Sequence, residues 1–197
     1  MLELVNLSHS YDKKSLVLDD ISFKFDSKKY VLIGPSGVGK STLLNIAGGL
    51  LNPSKGSVRS DYDSAFIFQL FNLLEDFTIR ENIEIAPKIK NKKVAYDEVV
   101  EITGISHLLD KFPGEVSVGE KQRAAIARAL ACNPDFIFAD EPTGSLDPYN
   151  ASIIRNIFDQ VNKSLSIGFL ISTHDYDWLS FADEKLNLKD GKICLLP

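Results

Sequence analysis

The sequence contains no apolar run that could cross a membrane, and it contains very little cysteine. A membrane-spanning helix needs about 18 or more consecutive apolar residues, and no such stretch occurs among the 197 residues. The two cysteines, Cys132 and Cys194, are far apart in the sequence and fit neither a metal site nor a disulfide framework. These absences favour a chain that works in a reducing cytoplasm.

Positive charge is also scarce, which restricts the partners. Lysine and arginine number 22 against 27 aspartates and glutamates, so the formal net charge is −5. A nucleic-acid-binding protein usually carries a strongly basic surface, and we therefore expect no nucleic-acid partner. The strand-like start at residues 1–4 is unlike a secretory signal. The length suffices for a sizeable core, and we expect one domain over residues 1–197.

A glycine-rich loop follows a short apolar run at residues 30–33, which predicts a buried strand. Its Gly-x-x-x-x-Gly-Lys-Ser spacing is typical of a loop whose backbone N–H groups surround a polyphosphate, although such a turn can match by chance. A helical pattern follows and would bring its positive end to the same anion. Lys40 would contact the β- and γ-phosphates, and the Ser41 hydroxyl would hold Mg²⁺. The candidate ATP-binding residues here are Gly34, Pro35, Ser36, Gly37, Val38, Gly39, Lys40, Ser41 and Thr42.

An acidic pair ends a second predicted strand at residues 135–139. Adjacent residues on a strand point to opposite sides, so Asp140 and Glu141 need not share a role. Asp140 could hold Mg²⁺, and Glu141 could polarise the water that attacks the γ-phosphate. This pairing favours hydrolysis. The alternative is a solvated strand end before the turn at residues 142–144.

A third motif opens a predicted helix. Ser117 and Glu120 have the spacing of a capping box, and residues 121–130 are good helix formers. A capped surface helix is therefore one interpretation. The capping box accounts for the serine and the glutamate, but not for the whole run that follows them.

Together these motifs resemble the ATP-binding cassette (ABC) ATPases, almost from end to end. The glycine-rich loop is similar to the Walker A motif, residues 136–140 to the Walker B strand, and residues 116–120 to the family signature. The resemblance implies further roles, which are Gln69 as the Q-loop glutamine, Ser145, Leu146 and Asp147 as the D-loop, His174 as the switch histidine, and Tyr11 as an adenine-stacking aromatic.

The resemblance implies an α/β P-loop fold with a mostly parallel core sheet, an antiparallel β flap and a helical subdomain at about residues 71–117. It also implies that two ATPase subunits, identical or related, bury two ATP molecules head to tail. Glu141, His174 and Gln69 would be catalytic, and Ser41, Gln69 and Asp140 would hold Mg²⁺. The other subunit would contribute Ser117, Gly119 and Glu120 to the ATP site, and the D-loop would lie at the dimer contact.

The wording of residues 45–50, 68–74 and 139–147 resembles the macrolide-efflux and lipoprotein-release branch. That branch implies a separate permease of the FtsX-like type, with the ATPase on the cytoplasmic face of the membrane. Export of a peptide, a lipoprotein or a drug is the expected function. A mechanotransmission ATPase of the cell-division type is the main alternative. A non-transport ABC ATPase and an inactive binding module also remain open.

Val118 departs from the family signature, which usually has glycine at this position. A β-branched residue resists positive φ, so we expect a weakened composite site. The apolar residues between Leu70 and Phe77 are expected to be mostly core, with some lining a permease groove. Local patterns also predict antiparallel strands within residues 1–29, a helix over 94–102 that ends at Gly104, and a hairpin turn at 189–192.

Overall fold

The computed structural model describes residues 1–90 and 96–196. The strands are β1 (Leu2–His9), β2 (Leu18–Phe25), β3 (Lys29–Ile33), β4 (Lys55–Ser60), β5 (Ser64–Ile67), β6 (Phe136–Asp140), β7 (Gly168–Ser172), β8 (Glu184–Lys189) and β9 (Lys192–Leu195). The α-helices are α1 (Lys40–Ala47), α2 (Ile79–Ile89), α3 (Tyr96–Thr103), α4 (Val118–Leu130) and α5 (Pro148–Leu165).

The larger sheet has the strand order β5-β6-β7-β3-β8-β9. Its first five strands run parallel, and β9 pairs antiparallel with β8 through the hairpin predicted at residues 189–192. Strands β3, β6 and β7 are almost continuously buried, as parallel strands covered on both faces should be. The prediction of a mostly parallel core is confirmed. This order brings the carboxyl ends of β6, β7 and β3 side by side.

A smaller antiparallel sheet has the order β2-β1-β4. The pairing of β1 with β2 confirms the prediction for residues 1–29. Strand β4 was not predicted, because the segment lacks apolar alternation. Of its six residues only Val58 is half-buried and the others are exposed, so pairing with β1 determines this strand.

Two apolar cores lie on opposite faces of the larger sheet. Alternation along β3 directs Tyr30 and Leu32 into the core shared with α1 and the smaller sheet, and Val31 and Ile33 into the core covered by α2–α5. Because β3 is held from both faces, the loop that follows it starts from a fixed position. The loop after β3 is therefore supported by a deeply buried strand.

The segment between β5 and α4 is helical, with α2 and α3 followed by short 3₁₀ turns. Of the predicted helix over 94–102, residues 94 and 95 lie outside the described residues, and the rest belongs to α3. Gly104 follows with a φ of 63°, as a C-terminal stop requires. The bounds of the helical subdomain stay a prediction. No helix in the described ranges is long and apolar enough to span a membrane.

The apolar residues that follow Gln69 are more exposed than expected. Leu70 is 77% exposed, and Leu74 and Phe77 are also exposed, whereas Leu73 packs against the core. The prediction that most of them are core is therefore wrong. This segment is a connection between β5 and α2, and hydrophobic composition alone does not show whether a connection turns its side chains inward.

Candidate nucleotide-binding site

The loop between β3 and α1 has the backbone conformation of an anion-binding turn. Gly37 and Gly39 have φ angles of 78° and 111°, which glycine adopts without strain. A Cβ on Gly39 would lie 2.7 Å from a methyl group of Val17, so a larger residue cannot fit. Helix α1 begins at Lys40 without a side-chain cap, which leaves the N–H groups of its first turn free to bind an anion.

Lys40 places a buried positive charge across this loop. The residue is only 7% exposed. Its ammonium group donates hydrogen bonds of 2.8 Å to the Gly34 carbonyl and 3.2 Å to the Pro35 carbonyl, and it lies 3.9 Å from Glu141 Oε1. An incoming phosphate would offer the same ammonium group a stronger, charge-assisted partner.

Glu141 lies between Lys40 and the end of β7. Its Oε2 is 2.9 Å from His174 Nδ1 and accepts a 3.3 Å hydrogen bond from the Thr173 hydroxyl. Glu141 has a φ of 47°, which a glutamate rarely adopts, while its N–H donates to the Ser172 carbonyl at 2.9 Å. Strained residues held by their surroundings concentrate at functional sites. Sequence reasoning missed Thr173 and Ser172, since only the sheet brings them to the acidic pair.

Asp140 has a different environment from its neighbour. One of its oxygens accepts a hydrogen bond from the Ser172 hydroxyl. Ser41 and Gln69 line the same cavity as Glu141. Hydroxyl, amide and carboxylate oxygens are suitable donors for Mg²⁺, which in nucleotide sites takes few protein ligands and also binds phosphate and water. The described residues include no cluster of three or more His, Cys, Asp or Glu that could hold a metal.

Most of these groups line one open cavity of about 450 Å³, which we call the nucleotide cavity, whereas Asp140 is not in its lining. Its lining is Tyr11, Val17, Ser36, Gly37, Gly39, Lys40, Ser41, Thr42, Gln69, Glu141 and His174. Most of the predicted nucleotide and catalytic residues therefore lie together, although they come from five separate segments. Gly34 and Pro35 line a neighbouring cavity that also includes His174, and Val38 packs into the core.

Tyr11 lies at the mouth of the nucleotide cavity with its ring 67% exposed. Its hydroxyl shares a 3.0 Å hydrogen bond with the Thr42 hydroxyl, which ties it to helix α1. The edge of the ring packs on His9 at a centroid distance of 4.7 Å. An anchored, exposed aromatic ring can stack on a planar base.

Ser117 caps helix α4, as predicted from the sequence. The Ser117 N–H and hydroxyl donate to Glu120 Oε2 at 2.8 and 2.7 Å, and the Glu120 N–H donates back at 3.4 Å. These bonds from Ser117 lower the pKa of Glu120. Ser117 and Glu120 line a separate cavity of about 570 Å³, which they share with Tyr149 and Asn150. The signature segment is therefore absent from the lining of the nucleotide cavity of its own chain.

Two neighbouring residues of the signature have different packing. A Cβ on Gly119 would lie 2.5 Å from Asn150 Oδ1, so glycine here permits close contact with α5. Val118 is the first residue of α4 and is 47% exposed. The expectation that valine would have to resist a positive φ at this position is wrong, because the position is helical.

The D-loop residues precede α5. Asp147 caps this helix by accepting hydrogen bonds of 2.9 Å from the Asn150 N–H and 2.6 Å from the Asn150 side chain. The backbone bond from Asn150 is the main cause of a lowered pKa for Asp147. Ser145 is exposed, and Leu146 packs against the core. The D-loop is thus fixed at its downstream end by its own helix.

The segment after Gln69 is held by the far end of α4. Phe71 and Asn72 have φ angles of 60° and 49°. Both of their carbonyls accept hydrogen bonds from the Arg128 guanidinium, and the bond to Phe71 is 2.8 Å long. Burial lowers the pKa of Arg128. Sequence reasoning missed this residue, because a cation in a last helical turn commonly serves only the helix dipole.

Known proteins with this sequence pattern and fold point to one family. The chain matches the ABC transporter family over residues 18–144. It is 36% identical to an uncharacterized ABC transporter ATP-binding protein of Methanocaldococcus jannaschii, with 98% of this chain and 97% of that protein covered. It is 37% identical to the lipoprotein-releasing system ATP-binding protein LolD of Buchnera aphidicola subsp. Schizaphis graminum, with 98% and 96% covered.

A solved structure extends this similarity to three dimensions. A dimeric ATP-binding cassette in a post-hydrolysis state, bound to ADP and Pi, superposes with a TM-score of 0.87 at 30% identity. The alignment covers 98% of this chain and 96% of that one. The chain therefore belongs to the ABC transporter family, as a subunit that binds and hydrolyses ATP.

Proposed function

We propose that the chain is one half of a head-to-tail ATPase dimer that closes on two molecules of Mg-ATP and drives a separate permease. The observation that carries this proposal is the separation of the two half-sites. Lys40, Glu141 and His174 share one cavity, whereas Ser117 lines another. A second subunit, identical or related, would bring its own Ser117 and Gly119 to the γ-phosphate.

Phosphate binding would use groups that are already in place. The loop N–H groups and the free end of α1 supply donors, and Lys40 supplies the charge. On binding, the Lys40 ammonium would turn from the Gly34 and Pro35 carbonyls to the β- and γ-phosphates. Tyr11 would stack on adenine. Ser41, Gln69 and Asp140 would hold Mg²⁺, which when bound offsets the charge of the phosphate oxygens.

Hydrolysis would use Glu141, the acidic residue in the lining of the nucleotide cavity. Glu141 would take a proton from the attacking water, and its carboxylate is oriented for this by His174 and Thr173. His174 would also contact the γ-phosphate and sense its loss. Gln69 would position the water and report to the segment that follows it.

The partner's signature would cover the γ-phosphate with a hydroxyl and the N–H groups of a helix N-terminus. Glu120 already accepts two hydrogen bonds from Ser117. Since a carboxylate and a phosphate repel each other, we assign Glu120 to holding Ser117 rather than to contacting phosphate. Asp147 and its neighbours in the D-loop would line the same contact between subunits.

A groove beside Gln69 would receive the permease. This cavity of about 360 Å³ includes Leu50, Phe66, Phe68 and Asn72, so it flanks Gln69 on both sides. Leu50 in its lining and Leu70 next to Gln69 are both exposed apolar residues. Exposed apolar patches mark interfaces. The ATPase would then lie on the cytoplasmic face of the membrane.

The similarity to a lipoprotein-releasing ATP-binding protein supports a permease of the FtsX-like type and export of a lipoprotein, a peptide or a drug. Co-purification with such a permease, followed by ATP-driven movement of cargo from proteoliposomes, would test the branch. ATPase stimulation by the permease without any cargo movement would instead favour mechanotransmission.

The composite site is tested by size-exclusion chromatography of Glu141→Gln, with and without Mg-ATP. Removing the base should trap bound ATP, so we expect a dimer only with Mg-ATP. The control is the double variant with Lys40→Met, which should stay monomeric in both conditions. A Glu141→Gln chain that binds ATP and yet stays monomeric would contradict pairing between identical subunits and point to a related second chain.

A further inference from the structure

Helix α5 contacts both halves of the catalytic machinery of its own chain. Its first end is the D-loop, because Asp147 caps the helix and bonds twice to Asn150. The Asn150 side chain also packs against Gly119, since a Cβ on Gly119 would lie only 2.5 Å from Asn150 Oδ1. The first turn of α5 therefore sets the position of the D-loop relative to the signature segment, which is the half that serves the partner's nucleotide.

The same helix contacts the segment that carries His174. The Arg155 guanidinium lies 3.1 Å from Asp175 Oδ2 and 3.6 Å from Asp177 Oδ2. Asp175 directly follows His174. The Arg155 side chain is 23% exposed and that of Asp175 33%, so the pair is partly shielded from water. A guanidinium that bridges two carboxylates constrains geometry as well as charge.

Residues 173–178, which we call the switch segment, are also fixed on their other side. Thr173 is buried and donates to Glu141. Trp178 is fully buried, and its indole N–H donates a 2.9 Å hydrogen bond to the hydroxyl of Thr143, two residues after Glu141. Helix α5 contacts this segment at two places. The Phe158 ring packs edge-to-face with Trp178 at a centroid distance of 5.2 Å, and Arg155 makes the polar contact beside His174.

We propose that α5 is a strut that sets the position of His174 relative to the D-loop, with Asn150 as the positioning residue in its first turn and Arg155 as the positioning residue about one and a half turns further along. In the proposed dimer the D-loop faces the partner. Contact with the partner would then be transmitted along α5 to the hydrolytic residues of the same chain. This inference rests on the proposed function.

Steady-state ATPase kinetics test the contact between Arg155 and the switch segment. Because a misplacement of about 1 Å can cost roughly 100-fold in rate, we expect Arg155→Met to lower kcat by between about 10- and 100-fold. KM for ATP should change little, since Arg155 is absent from the lining of the nucleotide cavity. Arg155→Lys should recover part of kcat. The matched control is Lys163→Met, another α5 cation, whose ion pair with Asp159 is exposed. An unchanged kcat for Arg155→Met would overturn the proposal.

Trp178 provides a readout that does not need ATP hydrolysis. It is the single tryptophan of the chain, so acrylamide quenching of the nucleotide-free protein reports on how tightly this part of the segment packs against Phe158 of α5. We expect Arg155→Met to raise quenching and Lys163→Met to leave it unchanged. Equal quenching in wild type and Arg155→Met would overturn the strut. If Arg155→Met raised quenching but the wild-type chain hydrolysed no ATP, the proposed function would be overturned and the strut would stand.

A double-mutant cycle on kcat tests transmission along the helix. Asn150→Ala and Arg155→Met act about one and a half turns apart on one helix and share no partner. Independent sites give multiplicative effects on kcat, whereas coupled sites do not. We expect the double variant to lose less activity than the product of the single losses. Multiplicative losses would overturn transmission along α5.

Discussion

Two regions of this ATPase differ in the contacts that hold them. The phosphate half contains Lys40 and Glu141, and the signature half contains Ser117 and Val118. Lys40 and Glu141 are enclosed, and the contacts that join Lys40, Glu141 and His174 link segments far apart in the chain. Ser117 and Val118 are exposed, and the capping bonds of Ser117 reach only three residues along the chain. The first half is therefore preformed by the core, whereas the second is an exposed helix end.

The largest expected effect comes from breaking the phosphate half. Hydrogen bonds to a charged group contribute about 1.5–3 kcal/mol, so Lys40→Met should weaken ATP binding by at least about tenfold. Titration with a fluorescent ATP analogue measures this. Lys88→Met, which removes an exposed helical ion pair, is the control and should bind normally. Unaltered affinity in Lys40→Met would mean that the loop N–H groups suffice.

A smaller effect separates capping from function in the signature half. Within residues 1–90 and 96–196, two capping boxes have a hydroxyl side chain at the N-cap, Ser117 with Glu120 and Thr78 with Glu81. Loss of a cap costs about 1 kcal/mol, so Ser117→Ala and Thr78→Ala should each lower Tm by about 2–4 °C. Only Ser117→Ala should also weaken ATP-dependent dimerisation in the Glu141→Gln background.

Acid should affect the two capping boxes alike. Hydrogen bonds from Ser117 and Thr78 lower the pKa of Glu120 and Glu81 below 4.5. A depressed pKa stabilises the fold at higher pH, and this stability is lost as pH falls from 4.5 through the folded-state pKa. For the two substitutions, equal weakening of ATP-dependent dimerisation in Ser117→Ala and Thr78→Ala would contradict the distinction between a functional cap at Ser117 and a structural cap at Thr78.

The smallest effect should come from Val118→Gly, which restores the usual family residue. Since Val118 is exposed and helical, we expect a loss of stability of up to about 0.5 kcal/mol from the lower helix propensity of glycine. Removing the side chain should let a partner's phosphate approach more closely and strengthen the ATP-bound dimer. Thermal unfolding and size-exclusion chromatography measure the two effects. A weaker dimer would show that valine contributes to the contact.

Short-range patterns predicted the elements that carry the site. The apolar run before the glycine-rich loop predicted β3, and the Ser117–Glu120 spacing predicted the cap of α4. Strand β4 and helix α5 were not predicted. β4 has almost no buried side chain, and for α5 the available signal was the Asp147-Pro148 pair, an N-cap residue before proline at the first helical position.

The type of chemistry could be predicted from short stretches of sequence, since the glycine loop, the acidic pair and the capped helix are each encoded by residues that lie close together in the chain. Which groups meet depends on the tertiary structure. It brought His174 and Thr173 to Glu141, Arg128 to the segment after Gln69, and Arg155 to the switch segment. The reason is that these contacts depend on strand order and helix packing, which arise from burial across the whole chain and leave no local pattern in the sequence.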